Sequence, residues 1–123
     1  QNKLLLAKNH GIICAGAIFT VTNKIMQYHL AGTTEQFIKD TPMKLILDEA
    51  RLLGNNLKLD FLHLGGGVGG SDEDSLFRFK SGFSDYRCIY QIWRMIVDDE
   101  NYKNLIEESG AASNSTFFPL YRN

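Results

Sequence analysis

A long amphipathic helix between two strand-like segments constrains this fold more than any other feature. Thr41-Pro42 is a typical helix start, with Thr41 as the N-cap and Pro42 at the first helical position. Apolar residues then recur at intervals of three and four and form one stripe: Met43, Ile46, Leu47, Ala50, Leu53 and Leu57. Ile25–Leu30 precedes the helix as a strand, and Phe61–Leu64 follows it as another. Since a helical crossover favours a parallel pair, we expect these two strands to be parallel and joined by helix 41–57.

Two further strands precede this unit. Leu4–Lys8 and Ile12–Val21 are joined by a tight turn at residues 9–11, and residues 22–24 form the next turn. Ile12–Val21 is nearly all apolar, which predicts a central strand covered on both faces. In the third strand, strict alternation predicts that Met26, Tyr28 and Leu30 share one face. Residues 31–40 are expected to be loop.

The second half of the chain is predicted to add shorter elements. A short helix begins after the acidic residues 72–74, and a strand covers Arg87–Met95. A helix over Asp99–Glu108 ends at Gly110, and Phe117–Tyr121 is extended. The predicted class is α/β, with a mixed, mostly antiparallel sheet and helices packed on it.

Length and charge limit the classes of function. The 123 residues predict a single domain, and 13 Lys+Arg against 14 Asp+Glu argue against a general polyanion binder. No apolar run approaches the ~20 residues of a membrane span, and no Cys/His cluster has zinc spacing. Cys14 and Cys88 are expected to be buried reduced thiols of a cytoplasmic protein. Because the chain begins at Gln1 and not at Met, we expect it to be either a processed product or one domain of a longer protein.

The start of the long helix is the first candidate site. Gly32 and Thr33 leave the third strand, and Thr41, Met43 and Lys44 open the helix. Free backbone N–H groups, hydroxyls and the positive helix end are suited to bind a pyrophosphate. The alternative is an ordinary helix end that holds water.

A glycine-rich turn is the second candidate. Gly65–Gly70 matches G-x-G-x-x-G between a strand and a helix, the context of a dinucleotide fingerprint. The helix that follows is short, and no acidic residue ends the next strand. We therefore favour a flexible turn, with a dinucleotide-binding fragment as the alternative.

The third candidate is a stretch of aromatic and cationic residues at 76–83. Arg78 and Lys80 are two residues apart, so they point to nearly opposite sides of a helix. A lysine flanked by Phe77 and Phe83 is suited to stabilise an oxyanion or a phosphate. The alternative is a core-anchored helix with solvated cations. His29 and His63 lie on strands that flank the helical crossover, where they could be neighbours across the sheet and act as acid/base groups. The alternative, which is the more frequent case, is a hydrogen-bonded structural histidine.

Four segments together resemble the C-terminal GNAT-type acyltransferase domain of Fem-type peptidoglycan-bridge enzymes. They are the strand end at residues 28–33, helix 41–56, the strand and glycine turn at 61–67, and the stretch Leu76–Phe83 with its element Phe79-Lys80-Ser81-Gly82-Phe83. The resemblance implies a GNAT fold in which Lys80, with Phe79 beside it, stabilises the transition state. It also implies an acyl-CoA or aminoacyl-tRNA donor, with a CoA pyrophosphate on the start of the long helix.

The resemblance therefore predicts an acyltransferase domain over residues 1–123. Its acceptor would be a small-molecule or peptide amine such as a cell-wall precursor, and His29 or water would remove the proton. The alternative is a non-catalytic ligand-binding or interaction domain with the same fold. The apolar tail Phe117–Tyr121 predicts a covering partner, either a second copy in a homodimer or a second domain.

Overall fold

The computed structural model describes residues 1–68, 71–112, 114–115 and 117–122. The chain forms two compact units, Gln1–Tyr86 and a second one from Arg87 onward. The first unit is an α/β structure with a mixed sheet of four strands.

The sheet follows chain order. Its strands are β1 (Asn2–Asn9), β2 (Ile12–Thr22), β3 (Ile25–Thr33) and β4 (Phe61–His63). The pairs β1–β2 and β2–β3 are antiparallel, and β3–β4 is parallel, which confirms the predicted crossover.

In both hairpin turns two consecutive residues have positive φ. This backbone conformation is typical of two-residue turns whose twist matches that of the flanking strands. At the first turn, His10 and Gly11 have φ of 47° and 85°. At the second, Asn23 and Lys24 have φ of 48° and 61°. The predicted turns are therefore confirmed.

Helix α1 (Met43–Asn56) supplies the crossover and covers one face of the sheet. Its apolar stripe meets the inward side chains of β1, β2 and β3, and the buried core consists of Ala7, Ala15, Ala17, Phe19, Met26, Met43, Ile46, Leu47 and Ala50. Every buried position on the helix belongs to the predicted stripe except Gly54.

The other face of the sheet is open, so the prediction that β2 is covered on both faces is wrong. Leu4, Ile18 and Leu30 lie in register across β1, β2 and β3, and they are 62%, 37% and 59% exposed. We call these three residues the open face. The apolar residues of β2 divide between the two faces of the sheet. Ala15 and Ala17 are buried on the side of α1, where their small size allows close packing, and Ile18 lies on the other side.

A β-bulge in β3 corrects the predicted alternation. Phe19 pairs with Tyr28 whereas Ile18 pairs with Leu30, so His29 is an extra residue in the ladder. Leu30 therefore leaves the face of Met26 and Tyr28 and joins the open face.

The approach to α1 also differs from the prediction. β3 continues to Thr33, and residues Glu35–Asp40 form a 3-10 helix instead of a loop. Thr41 has φ of 48° and ends that 3-10 helix, with its N–H donating to the Ile38 carbonyl. Thr41 is therefore not the N-cap of α1; Pro42 holds that position without a side-chain cap.

Helix α2 (Ser75–Ser81) ends the first unit, and its N-cap Asp74 agrees with the predicted acidic start. In the second unit, α3 (Asp99–Ser109) begins at the cap Asp98 and ends at Gly110, as predicted. No helix among the described residues is long and apolar enough to cross a membrane.

The segment Arg87–Met95 is not a strand, which contradicts the prediction. It joins no ladder with the described strands, and Ile89 and Trp93 are 91% and fully exposed. Strand-like composition favours a pleated, half-buried surface and does not form one without a partner strand. Cys88 lies in this segment and is exposed, so only Cys14 is a buried thiol as predicted.

The apolar tail packs within its own unit. The rings of Phe118 and Tyr121 lie 6.1 and 5.7 Å from that of Tyr102, and the Leu120 N–H donates to the Tyr102 hydroxyl at 2.9 Å. Residues Leu120–Arg122 form a 3-10 turn, so the tail is not extended to its end.

Candidate functional site

Lys80 is held at the junction of α2 and the glycine turn. Its Nζ donates to the Gly66 carbonyl at 2.7 Å. The adjacent Phe79 packs against the core, and its ring meets Phe83 edge-on at 5.3 Å. Because Phe79 anchors the helix, the position of the Lys80 ammonium relative to the sheet is defined.

The aromatic ring beneath this ammonium is Tyr28, from β3. Lys80 Nζ lies 5.5 Å from the ring centroid, within cation–π range. The ring of Phe19 packs against that of Tyr28, with the two centroids 5.5 Å apart. Sequence reasoning expected Phe77 and Phe83 to flank the lysine and missed Tyr28; its inward position beside Met26 was the available signal.

Burial sets the electrostatics of this cluster. Partial desolvation lowers the pKa of Lys80, while the nearby Asp74 carboxylate acts in the opposite direction. Burial also raises the pKa of Tyr28, so its hydroxyl stays neutral. The site therefore contains a partly dehydrated cation above a neutral aromatic ring.

Arg78 faces a different environment. It forms an exposed ion pair with Glu73 at the surface. This is the surface contact expected for a cation on the other side of the helix from Lys80.

The glycine turn is folded onto α2. Gly65 has φ of 73°, and Asp74 accepts a hydrogen bond from the Val68 N–H at 3.0 Å. A carboxylate therefore occupies the place where a dinucleotide phosphate would need free N–H groups. Gly69 and Gly70, the end of the predicted fingerprint, lie outside the described residues.

A cleft of about 410 Å³ lies at the start of α1. Its lining includes Lys8, Cys14, Phe37, Thr41 and Lys44. The structure thus brings two of the predicted anion-binding residues together with Lys8, which sequence reasoning had not selected. Gly32 and Thr33 lie at the end of β3, and the Met43 side chain is buried in the core.

The backbone contributes less to this cleft than the sequence predicts. Pro42 has no N–H, and the N–H groups of Lys44 and Ile46 already donate to the carbonyls of Thr41 and Pro42, at 3.0 and 3.3 Å. Binding of an anion here would therefore draw on fewer free N–H groups and more on the ammonium groups of Lys8 and Lys44, with Asp40 as a competing charge in the lining.

The two candidate histidines are exposed and are not direct cross-strand partners. β4 places His63 opposite Gln27, whereas His29 is the extra residue of the bulge. Among the described residues, no hydrogen bond joins either histidine to Lys80. The described part of the chain contains no group of three or more His, Cys, Asp or Glu side chains arranged to hold a metal ion.

No family model, curated protein or solved structure matches this chain. The Lys80 cluster and the α1 cleft are therefore the two features of the chain that point to a function.

Proposed function

We propose that this chain is the acyl-transferring domain of a GNAT-type enzyme that moves an acyl or aminoacyl group to an amine. One observation carries the proposal: the Lys80 ammonium is positioned by the Gly66 carbonyl and the Tyr28 ring in a partly dehydrated place. Such a preorganised cation is suited to the charge that develops in acyl transfer.

The chemistry follows from this cation. The acceptor amine attacks the carbonyl carbon of the donor, a C–N bond forms, and the electron pair moves to the carbonyl oxygen. Lys80 stabilises that oxyanion with an N–H that Gly66 does not use, since an ammonium has three donors. The electron pair then returns to re-form the carbonyl as the C–S or C–O bond breaks, and the CoA thiolate or the tRNA ribose oxygen leaves with that bond's electrons. His29 or water accepts the proton from the amine, and the leaving group is protonated on release.

The donor would be acyl-CoA or aminoacyl-tRNA, both of which carry phosphates. Lys8 and Lys44 at the α1 cleft supply two cations for such groups. The acceptor would be a small-molecule or peptide amine, such as a cell-wall precursor. We assign the reaction to the cytoplasm, where the free thiols of Cys14 and Cys88 would stay reduced.

Substitution of Lys80 tests the proposed chemistry. In the full-length enzyme, Lys80→Met should reduce the transfer rate about 100- to 1000-fold, because one oxyanion donor is lost. The melting temperature should not fall, since methionine keeps most of the apolar stem. Arg78→Met is the matched control and should retain activity. Normal turnover in Lys80→Met would refute the proposal.

A titration locates the donor. Addition of acetyl-CoA to the labelled protein should shift the amide signals of residues 41–45 and of Lys8. Shifts centred on residues 65–72 would instead support the dinucleotide-binding alternative. Binding at the α1 cleft without any turnover by the full-length protein would support a non-catalytic ligand-binding domain.

We also propose that the domain self-associates as a homodimer. The support is the open face, where three large apolar side chains of one row remain exposed. Contiguous exposed apolar surface of this kind is typical of protein interfaces.

A further inference from the structure

We infer that Asp74 is a positioning residue, which clamps the turn Gly65–Val68 and through it orients the Lys80 ammonium. The inference rests on the proposed function, since it assigns Asp74 a part in the same reaction. Asp74 would not touch substrate; it would act through the turn and through Lys80.

Asp74 ties two parts of the chain with its two carboxylate oxygens. Oδ1 accepts the Phe77 N–H at 2.9 Å and so caps the first turn of α2. Oδ2 accepts the Val68 N–H at 3.0 Å and so holds the glycine turn. An ordinary N-cap needs only the first of these bonds. The second bond joins the turn to the helix that carries Lys80.

Lys80 closes the same link from the other end of the helix. Its Nζ donates to the Gly66 carbonyl, two residues before Val68. The direction of that carbonyl depends on where the turn sits, and Asp74 sets this position through Val68. Loss of the Val68 bond would therefore release the carbonyl that orients the ammonium.

Gly67 gives independent evidence that the turn sits directly on the carboxylate. A Cβ added at Gly67 would approach Asp74 Oδ1 to within 2.4 Å, closer than real Cβ contacts allow. The close seating of the turn on Asp74 therefore requires glycine at this position. Gly54 in α1 offers a contrast, because a Cβ added there meets nothing within 4 Å.

The charge of Asp74 has a second effect on Lys80. Desolvation favours the neutral amine, and the carboxylate opposes it by raising the pKa of Lys80. The same side chain would thus keep the lysine both oriented and protonated.

The test uses Asp74→Ser in the full-length enzyme. Serine remains a good N-cap for α2 but is too short to hold Val68 as well, and it carries no charge. We expect kcat to fall about 100-fold with little change in the KM of the donor, because the cation is misplaced. We also expect the alkaline limb of the pH–rate profile to move to lower pH, since Lys80 loses its carboxylate neighbour.

Asp98→Ser is the matched control. Asp98 caps α3 in the same way, accepting the Asn101 N–H at 3.0 Å, but it has no role in the site. This variant should keep the wild-type kcat and pH profile. Equal loss of activity in both variants, or an unchanged kcat and pH profile in Asp74→Ser, would overturn the inference.

A readout without catalysis separates this inference from the proposed function. Hydrogen exchange at the Val68 amide should accelerate in Asp74→Ser and in Gly67→Ala, but not in Gly54→Ala. Unchanged exchange at Val68 in both turn variants would refute the clamp itself. If exchange accelerates while Lys80→Met retains full activity, the clamp exists and the proposed function fails.

Discussion

Lys80 keeps its charge in a place where the protein removes part of its water shell. The Tyr28 ring and the Gly66 carbonyl replace some of that water, but burial still lowers the pKa of the ammonium. The folded state therefore binds this proton less tightly than the unfolded chain does. The proposed function and stability would make opposite demands on the residue, since a charge suited to an oxyanion costs free energy in the resting protein.

The lowered pKa predicts how stability depends on pH. Between the lowered value and the ordinary lysine pKa of 10.5, the unfolded chain holds more protons than the folded one. The free energy of unfolding should therefore rise with pH across this window. Lys80→Met lacks the titrating group, so the difference between wild type and variant should grow in favour of wild type toward alkaline pH. Urea unfolding of both proteins at neutral and alkaline pH checks this, and a constant difference would contradict it.

At the scale of elements, the apolar stripe of α1 determines where the candidate cleft lies. The stripe buries Ile46 and Leu47 to 2% exposure, whereas the preceding Leu45 is 57% exposed. Burial of this one face fixes where the helix starts and thus positions the cleft lined by Thr41 and Lys44. The helix also returns the chain from the end of β3 to the edge of the sheet where β3 begins, so that β4 can lie parallel to β3.

Two alanine substitutions should separate the faces of α1. Ile46→Ala should lower the free energy of unfolding by about 2–5 kcal/mol, since it leaves a cavity under the sheet. Leu45→Ala removes an exposed side chain and should change it by no more than about 0.5 kcal/mol. Chemical denaturation of both variants measures the difference. Similar losses at the two positions would mean that the helix packs differently.

The elements show which features a sequence can predict. The hairpin turns and the α1 stripe are local patterns, so both could be read from neighbouring residues. The bulge at His29 depends on the register with β2, which no local pattern of β3 encodes. Thr41 carried a strong cap signal, but the 3-10 helix before it takes Thr41 as its own end. The strand expected at 87–95 failed because composition cannot supply a partner strand.

The residues of the candidate site also fall into those that the sequence predicts and those that only the fold brings together. Lys80 could be selected from its motif, because its neighbours in sequence are distinctive. Tyr28 lies far from it in the chain and reaches it only through the fold, so its role could not be predicted. Asp74 was predicted as a helix start, and its second bond to Val68 appears only when the turn folds back.

At the scale of the whole molecule, the open face is an exposed apolar row of the first unit. Leu4, Ile18 and Leu30 form one row across three strands, on the side of the sheet opposite α1. A second copy would bury this row against its own equivalent, as two-fold interfaces do.

Sedimentation should therefore detect a dimer at high micromolar concentration. Leu30→Glu places a charge at one end of this apolar row, within the contact, and should shift the protein to a monomer. Leu45→Glu is the matched control, because Leu45 is almost as exposed as Leu30, at 57% against 59%, and lies on α1 outside the open face. A clean 13.9 kDa species from the wild-type chain would contradict the prediction.

The bulge in β3 makes this domain unusually sensitive to a change in chain length at one position. Most single-residue deletions in loops are absorbed locally, but removal of His29 would restore strict alternation to the strand. Leu30 would then turn to the side of the sheet that α1 covers and Ala31 to the side of the open face, and the same exchange would reach Thr33. Deletion of this single residue would thus exchange the two faces of β3 from Leu30 onward, in the part of the strand that leads to the α1 cleft.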